Sequence, residues 1–315
     1  PNSWKISTVA ANHPDWSLDS TFTGYHRAKM NWFTADQSFY QSNNNNPGFE
    51  LSNDCKVNNF TRTVIPQEIF VNLQPSNGGI ILNQAVFDLV YYPKERGPYN
   101  YNSETSEFTI SDFGTGNIGL FNRPEENWAS IVRPITFDTD FEKANIEYLE
   151  FWVMSPFTPE NTSIGSAGTV HPDLRVEMQQ TVPYPVYQNN ALDGKVYFHL
   201  GNVNEDVLRD GLQSFENGLP DPNARETSWG RVTAQQFITN SFDNSLDRTL
   251  QDVGLEGLSN ADEQQFHGGL FNWASGNSLA QESNDPSSDD YQYYINDASD
   301  ERCILERYRN YNGLE

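Results

Sequence analysis

The apolar residues of this chain come in short runs, and that arrangement limits the fold more than any other feature. The longest runs, such as residues 149–154, are far shorter than the roughly 18 to 20 residues that a membrane-spanning helix requires. Asn, Asp and Gly separate the runs too densely for a series of membrane hairpins, whose strands are about 10 residues long. We therefore expect a soluble module without a membrane span, built mainly from short strands.

Several runs have the composition and period of β-strands. Patterns rich in β-branched and aromatic residues predict strands at residues 69–71, 80–82, 86–92, 131–133 and 196–200. Pro93 is expected to end the third of these. The run at 146–154 is apolar on both sides of its alternation, which predicts a strand covered on both faces. These patterns predict a mainly β chain with a jelly-roll-like β-sandwich.

Changes in composition and hydrophobic pattern along the sequence divide the chain into three predicted regions. Residues 1–63 form an aromatic N-terminal arm with an Asn-rich loop, residues 64–218 form the β-sandwich, and residues 219–315 form a mixed, loop-rich region with short helices. A C-terminal helix is predicted at 301–311, where Ile304, Leu305, Tyr308 and Tyr311 make one apolar stripe. The chain opens without Met or a leader, so we expect a piece of a longer protein.

The charge of the chain excludes one class of partner and suggests a ligand. With 19 basic and 43 acidic residues the net charge is −24, which disfavours nucleic acid because phosphate binding depends on Lys and Arg. Such acidity is explained by solubility outside the cytoplasm or by binding of divalent cations. Asp285, Asp289 and Asp290, with Asn284 and Ser287, offer the hard oxygen ligands of a Ca²⁺ site. A solvated acidic loop is the alternative, and we predict no other cofactor.

The cysteines and histidines show no zinc-binding pattern. Cys55 and Cys303 fit neither a zinc knuckle nor a redox Cys-x-x-Cys motif. An oxidising compartment would permit a disulfide between them, and two separate buried thiols are equally compatible with the sequence. The five histidines are scattered singly, without the His-x-x-x-His spacing of metal hydrolases.

Two patterns in the sequence match catalytic or cofactor-binding motifs, but the sequence around them does not establish such a function. Residues 114–119 match Gly-x-Gly-x-x-Gly, but no helical period follows, so we interpret them as a turn. The pair Glu147 and Glu150, like the acidic residues at 138–142, invites a glycosidase interpretation, yet sequence does not fix the separation that such a pair requires. We predict a chain that is not an enzyme.

Seven segments, unusual in composition and spread from about residue 25 to the C-terminus, carry a resemblance to one family. They are RAKMNW (27–32), YPKERGPYNY (92–101), ANIEYLEFWVM (144–154), LGNVNEDVLRDG (200–211), QDVGL (251–255), DPS (285–287) and RYRNYNG (307–313). These segments resemble the SprA/Sov proteins of Bacteroidota, which form the outer-membrane translocon of the type IX secretion and gliding-motility systems.

The resemblance implies a soluble insertion of a giant β-barrel, at the cell outer membrane and facing either the medium or the periplasm. Its partners would be the remainder of its own barrel chain, other secretion-system components or cargo proteins, and the family supplies no catalytic residues. The alternative is a secreted carbohydrate-binding β-sandwich or a glycosidase fragment, because exposed rings such as Trp152 stack on sugars. A sugar-binding module predicts coplanar exposed rings, whereas an assembly module predicts buried aromatics and acidic faces.

Overall fold

The structure is a computed structural model, and it describes part of the chain. The described residues are 4–10, 13–14, 21–40, 51, 55, 61–73, 83–101, 123–136, 140–154, 194–201, 225–226, 231–232, 258–266, 285–290, 292, 294–295 and 302–311. The predicted strand at 80–82, the glycine motif at 114–119 and Asn284 lie outside these residues.

Secondary structure within these ranges consists of short elements. The strands are β1 (Lys5–Ile6), β2 (Ala28–Phe33), β3 (Asp88–Arg96), β4 (Ile131–Val132), β5 (Arg225–Glu226) and β6 (Arg231–Val232). The α-helices are α1 (Pro66–Ile69), α2 (Asn260–Phe266) and α3 (Ile304–Arg307), and 3-10 helices span Thr21–His26, Gln37–Tyr40 and Pro124–Glu126. The strands pair antiparallel as β1 with β4, β2 with β3, and β5 with β6. Three two-stranded pairs neither establish nor exclude a larger sheet arrangement, so the jelly-roll-like β-sandwich stays a prediction.

The pairing of β2 with β3 contains an irregularity at Pro93. Lys29 pairs with Tyr92, but the next residue of β2, Ala28, pairs with Arg96. Proline has no backbone N–H to donate to the ladder, so it is found at edges and bulges of sheets. We expected Pro93 to end the strand, and instead the strand bulges there and pairing resumes at Arg96.

The C-terminal segment packs on this hairpin and is less helical than predicted. Helix α3 ends at Arg307, and residues 308–310 form turns rather than continuing the helix predicted at 301–311. The Asn31 side-chain amide of β2 donates to the carbonyl oxygens of Tyr308, at 2.9 Å, and of Arg309. Those carbonyls are thereby bonded outside the segment, which favours the turn. The predicted stripe of Ile304, Leu305, Tyr308 and Tyr311 is buried.

The hydrophobic core lies between β2, the 3-10 helix Gln37–Tyr40 and α3. The Tyr308 ring stacks on Phe33 with a centroid distance of 4.0 Å. The Tyr294 ring also stacks on Tyr308, with a centroid distance of 4.6 Å. Stacked and edge-on ring pairs of this kind stabilise a core beyond the area that they bury. The buried residues of this cluster are Phe33, Ala35, Phe39, Leu51, Cys55, Ile304, Leu305, Tyr308 and Tyr311.

A disulfide joins the two halves of this core. Cys55 and Cys303 are bonded, with their Cα atoms 5.2 Å apart, so the structure decides between the two alternatives that the sequence left open. Cys303 directly precedes α3 and Cys55 is buried in the core. The bond therefore fixes the C-terminal segment to a residue of the predicted N-terminal arm.

Three runs predicted as strands are not strands in the structure, and one of them, residues 196–200, has no regular secondary structure. Residue 69 ends helix α1 and residues 70–71 follow it. The helix begins at Pro66, a residue favoured in the first helical turn, and the Glu68 carboxylate accepts from the Ile65 backbone N–H at 3.1 Å. Residues 146–154 have no regular secondary structure, and the side chains of 146–153 are exposed. A strand is stabilised by a paired neighbour, and in the described ranges no strand pairs with residues 146–154.

Among the described residues, no helix is both long enough and apolar enough to cross a membrane.

Candidate functional site

Three carboxylates converge where helix α2 meets the turn at 285–290. One oxygen from each of Glu263, Asp285 and Asp289 lies within 4.8 Å of the others. Glu263 and Asp289 are buried, and Asp285 is partly buried. Buried acidic groups repel one another unless a proton or a cation reduces their charge. The cluster is therefore the candidate metal centre of the described residues.

Helix α2 holds Glu263 toward the turn. The Ser259 hydroxyl caps the helix start, accepting from the Asp262 backbone N–H at 3.4 Å and donating to the Asp262 carboxylate at 3.2 Å. The Glu263 backbone N–H donates to the Ser259 carbonyl at 2.8 Å. This places the Glu263 side chain where its Oε2 accepts from the Ser287 backbone N–H at 3.0 Å.

The end of β3 forms the opposite wall of the cluster. The Arg96 guanidinium donates to the Pro286 carbonyl at 2.7 Å and to the Asp285 carbonyl at 3.2 Å. The Tyr99 hydroxyl donates to Asp289 Oδ2 at 2.9 Å, and the Tyr99 backbone N–H donates to the Ser287 carbonyl at 2.7 Å. These bonds fix the turn by its backbone carbonyls, so the carboxylates stay directed toward Glu263.

Charge at the cluster is unbalanced. Burial raises the pKa of the Asp285 carboxyl above its ordinary value, and the negative charge of Asp290 raises it further. The positive charge of Arg96 opposes this shift, together with backbone hydrogen bonds that Asp285 accepts. A bound cation would lower the same pKa, because it favours the ionised carboxylate.

The sequence prediction identified two members of the cluster and missed the third. The structure brings Asp285 and Asp289 together, but Asp290 is exposed and its Oδ1 accepts from the Asn260 side-chain amide at 2.9 Å. Ser287 contributes its backbone N–H to Glu263. Glu263 lies in helix α2, for which no specific prediction was made, and only its place one turn after Ser259, a residue type that caps helices, signals a fixed side chain.

An exposed apolar surface lies apart from the cluster. We use this name for the exposed apolar residues of 70–73, 146–153 and 196–200, among which Val196 is 77 % exposed and Val153 is 76 % exposed. Ring contacts join the three segments, since Phe70 lies 6.1 Å from Trp152 and Phe151 lies 4.8 Å from Phe198. Soluble monomers rarely expose a contiguous apolar area of more than a few hundred Å².

The rings of the apolar surface do not form a flat stacking platform. The planes of Phe70 and Trp152 meet at 75°, and those of Phe151 and Phe198 meet at 43°. Glu147 and Glu150, the candidate glycosidase pair, are exposed in the same segment. We expected an assembly module to bury its aromatic residues, and these are exposed, because the described residues provide nothing that covers them.

A small cleft lies beside Asp88, near the core. It is lined by residues that include Thr34, Tyr40, Arg62 and Asp88, and its volume is about 20 Å³. That is room for a single water molecule rather than for a substrate.

No protein-family model matches the chain, and no curated protein matches it.

Proposed function

We propose that this chain is a soluble structural and interaction module of a giant outer-membrane translocon of the SprA/Sov kind, which exports cargo proteins and supports gliding motility. The observation that carries the proposal is the exposed apolar surface. Its rings are exposed, against the expectation for an assembly module, but they are not coplanar as sugar stacking requires, and a partner that covers this surface would bury them. Part of it, residues 146–153, falls within one of the segments that carry the family resemblance. The proposal assigns no catalytic residue.

Four other resembling segments support the same proposal by packing together. Residues 27–32 pair with residues 92–101, and both contact residues 307–311, while residues 92–101 also bond to residues 285–287. Lys29 donates to the Asn310 side chain at 2.7 Å, and Arg309 forms an ion pair with Glu95 at 2.6 Å. Segments that are far apart in sequence thus share one buried contact network, as expected of residues that serve one folded unit.

The partner that we propose for the apolar surface is the remainder of the parent barrel chain. A second copy of the module is disfavoured, because each copy carries a net charge of −24 and like charges oppose association. The proposed location is the cell envelope, which agrees with the Cys55–Cys303 bond because disulfides persist in oxidising compartments.

Capture from solubilised membranes tests this function. The immobilised chain is incubated with a detergent extract of outer membranes from a Bacteroidota species that has type IX secretion, and bound proteins are identified by mass spectrometry. We expect the barrel protein and other secretion-system components to be recovered, and recovery to fall at least tenfold with the double variant Phe151→Ser and Trp152→Ser.

The matched control is Ile135→Ser, which removes an exposed apolar side chain outside the apolar surface. Equal recovery by wild type and the double variant would contradict the proposed surface. Absence of secretion-system components, combined with micromolar binding on a glycan array, would instead support the carbohydrate-binding alternative.

Within this function we propose that Glu263, Asp285 and Asp289 bind a structural Ca²⁺. Ca²⁺ takes oxygen ligands at 2.3–2.6 Å, so oxygens on opposite sides of the ion lie roughly 5 Å apart, and the 4.8 Å limit of the cluster fits that span. The ion would be held between α2 and the turn at 285–290, and it would neutralise the repulsion among the three carboxylates.

Calorimetry with Ca²⁺ and a paired set of variants tests the cation. We expect Glu263→Gln to abolish one Ca²⁺ site and the accompanying rise in Tm, since amide substitution keeps the shape and removes the charge. Asp290→Asn is the matched control and should retain both effects, because Asp290 bonds to Asn260 instead. A loss caused by Asp290→Asn but not by Glu263→Gln would contradict the assignment.

A further inference from the structure

Two histidines from distant parts of the sequence meet at the edge of the apolar surface. The ring centroids of His13 and His199 lie 5.6 Å apart, and the planes are tilted by 42°. Tyr197 packs edge-on against His13, with a centroid distance of 4.6 Å and an interplanar angle of 63°. The tyrosine ring limits rotation of the His13 imidazole, so the pair has a defined geometry.

The Nε2 atom of His199 is the unusual feature of this pair. It is screened from solvent, and among the described residues it has no hydrogen-bond partner. A buried imidazole nitrogen without a partner costs free energy in either tautomer, because the nitrogen is an N–H donor in one and a lone pair in the other. The ring nitrogen that carries a lone pair in the neutral imidazole is also the atom with which histidine binds metals.

We propose that His13 and His199 form the two-imidazole half of a binding site for a transition-metal dication of the class that prefers nitrogen, such as Zn²⁺, Ni²⁺ or Cu²⁺. Two imidazoles bound at 2.0–2.1 Å with an angle between tetrahedral and trigonal place their ring centroids roughly 5.2 to 5.5 Å apart. The separation in the structure is 5.6 Å, which is close to that range. Water would complete the coordination shell.

The site is independent of the Ca²⁺ proposal because the ligand chemistry differs. The acidic cluster offers carboxylate oxygens, which suit hard cations, whereas the histidine pair offers nitrogen, which suits later transition metals. The net charge of −24 attracts either kind of cation to the surface, but only the imidazoles select between them. Saturating Ca²⁺ can therefore occupy the acidic cluster while the histidine pair is titrated.

Calorimetric titration of the whole chain with Zn²⁺, in saturating Ca²⁺, tests the site. We expect His13→Gln and His199→Gln each to lose the same one equivalent of Zn²⁺. The matched controls are His171→Gln, which removes a histidine elsewhere in the sequence, and Glu263→Gln, and both should bind as wild type does. Near-ultraviolet circular dichroism identifies any variant whose fold has changed.

A second measurement avoids substitutions altogether. Cu²⁺ added at one equivalent to the wild-type chain should give an electron paramagnetic resonance spectrum with nitrogen hyperfine splitting from two imidazoles. Oxygen-only coordination would overturn the proposal, and so would unchanged Zn²⁺ stoichiometry in both histidine variants. Loss in only one histidine variant would also overturn it, since a shared site requires both rings.

Discussion

Two regions of the molecule treat aromatic side chains in opposite ways. In the central body, which we define as residues 25–33, 88–101, 285–290 and 302–311, Tyr308 is 1 % exposed and is stacked between Phe33 and Tyr294. On the apolar surface, Tyr148 is 74 % exposed and Trp152 is 71 % exposed. The difference shows that aromatic content alone does not decide burial, because burial requires residues that converge on the ring.

The central body is held by polar bonds as well as by apolar contact. Asn100 donates its side-chain amide to the Arg27 carbonyl at 2.7 Å and to the Tyr25 carbonyl at 3.0 Å. Arg27 lies over the Trp128 ring at 5.1 Å and donates to the Pro98 carbonyl at 3.2 Å. Buried backbone carbonyls that side chains satisfy in this way give a unique arrangement. We infer that stability resides in the central body and association in the apolar surface.

The largest expected effect comes from truncating one tyrosine in each region. Tyr308→Ala should reduce the free energy of unfolding by about 4 kcal/mol, because it removes a fully enclosed ring and leaves a cavity. Tyr148→Ala should change it by less than about 0.5 kcal/mol, because that ring is mostly in solvent. Urea unfolding measures the change in the free energy of unfolding for each variant. Equal changes would contradict the distinction between the two regions.

Reduction of the disulfide should have the next largest effect. The Cys55–Cys303 bond closes a sequence separation of 248 residues, and removal of a native disulfide costs about 3 kcal/mol. The double variant Cys55→Ser and Cys303→Ser should therefore unfold at lower urea concentration and lose its response to reductant. Capture of membrane partners by the refolded double variant should persist if association resides in the apolar surface. Insensitivity of the wild type to reductant would contradict the bond.

Gly97 and Gly24 differ in the space available for a side chain, so replacing each with alanine distinguishes steric crowding from the general effect of replacing a glycine. A Cβ at Gly97 would lie 2.4 Å from the Ala28 carbonyl oxygen, beside the bulge of the β2–β3 pair, whereas a Cβ at Gly24 would meet nothing within 4 Å. We expect Gly97→Ala to cost about 2 kcal/mol, because backbone must move to admit the methyl group. Gly24→Ala should be nearly neutral, and thermal unfolding of the two variants compares them.

Sequence reasoning reached local features more readily than long-range ones. The apolar stripe of Ile304, Leu305, Tyr308 and Tyr311 was visible because helical period reports burial. The end of the helix at Arg307 was not, because it depends on bonds from Asn31 to the following turn, across the whole chain. Helical periodicity carries no information about which distant side chain will donate a hydrogen bond to a backbone carbonyl.

The candidate sites show the same limit. Asp285 and Asp289 could be proposed from their spacing in one acidic loop, but Glu263 joins them only because β3 and α2 enclose that loop. His13 and His199 likewise have no sequence spacing that predicts contact. The run at 146–154 misled for the opposite reason, since two apolar faces predict a covered strand and the described residues do not supply the cover.

The smallest expected effect is a pH dependence that belongs to the edge of the central body. Burial raises the pKa of the Asp88 carboxyl to about 7, and a hydrogen bond from the Ala35 backbone opposes that shift only in part. Between about pH 4 and pH 7 the folded chain then binds one proton more than the unfolded chain, so the contribution of Asp88 to stability falls as pH rises and levels above pH 7.

Asp88→Asn isolates this contribution because the amide resembles the protonated carboxyl. We expect the variant to match wild type near pH 4 and to be more stable by about 1 to 2 kcal/mol at pH 8, a value discounted for partial solvent screening. Urea unfolding at several pH values measures the difference, with Glu147→Gln on the apolar surface as the exposed control. A flat difference between Asp88→Asn and wild type would show that Asp88 is ionised in the fold, and burial at this edge would then be weaker than in the core around Tyr308.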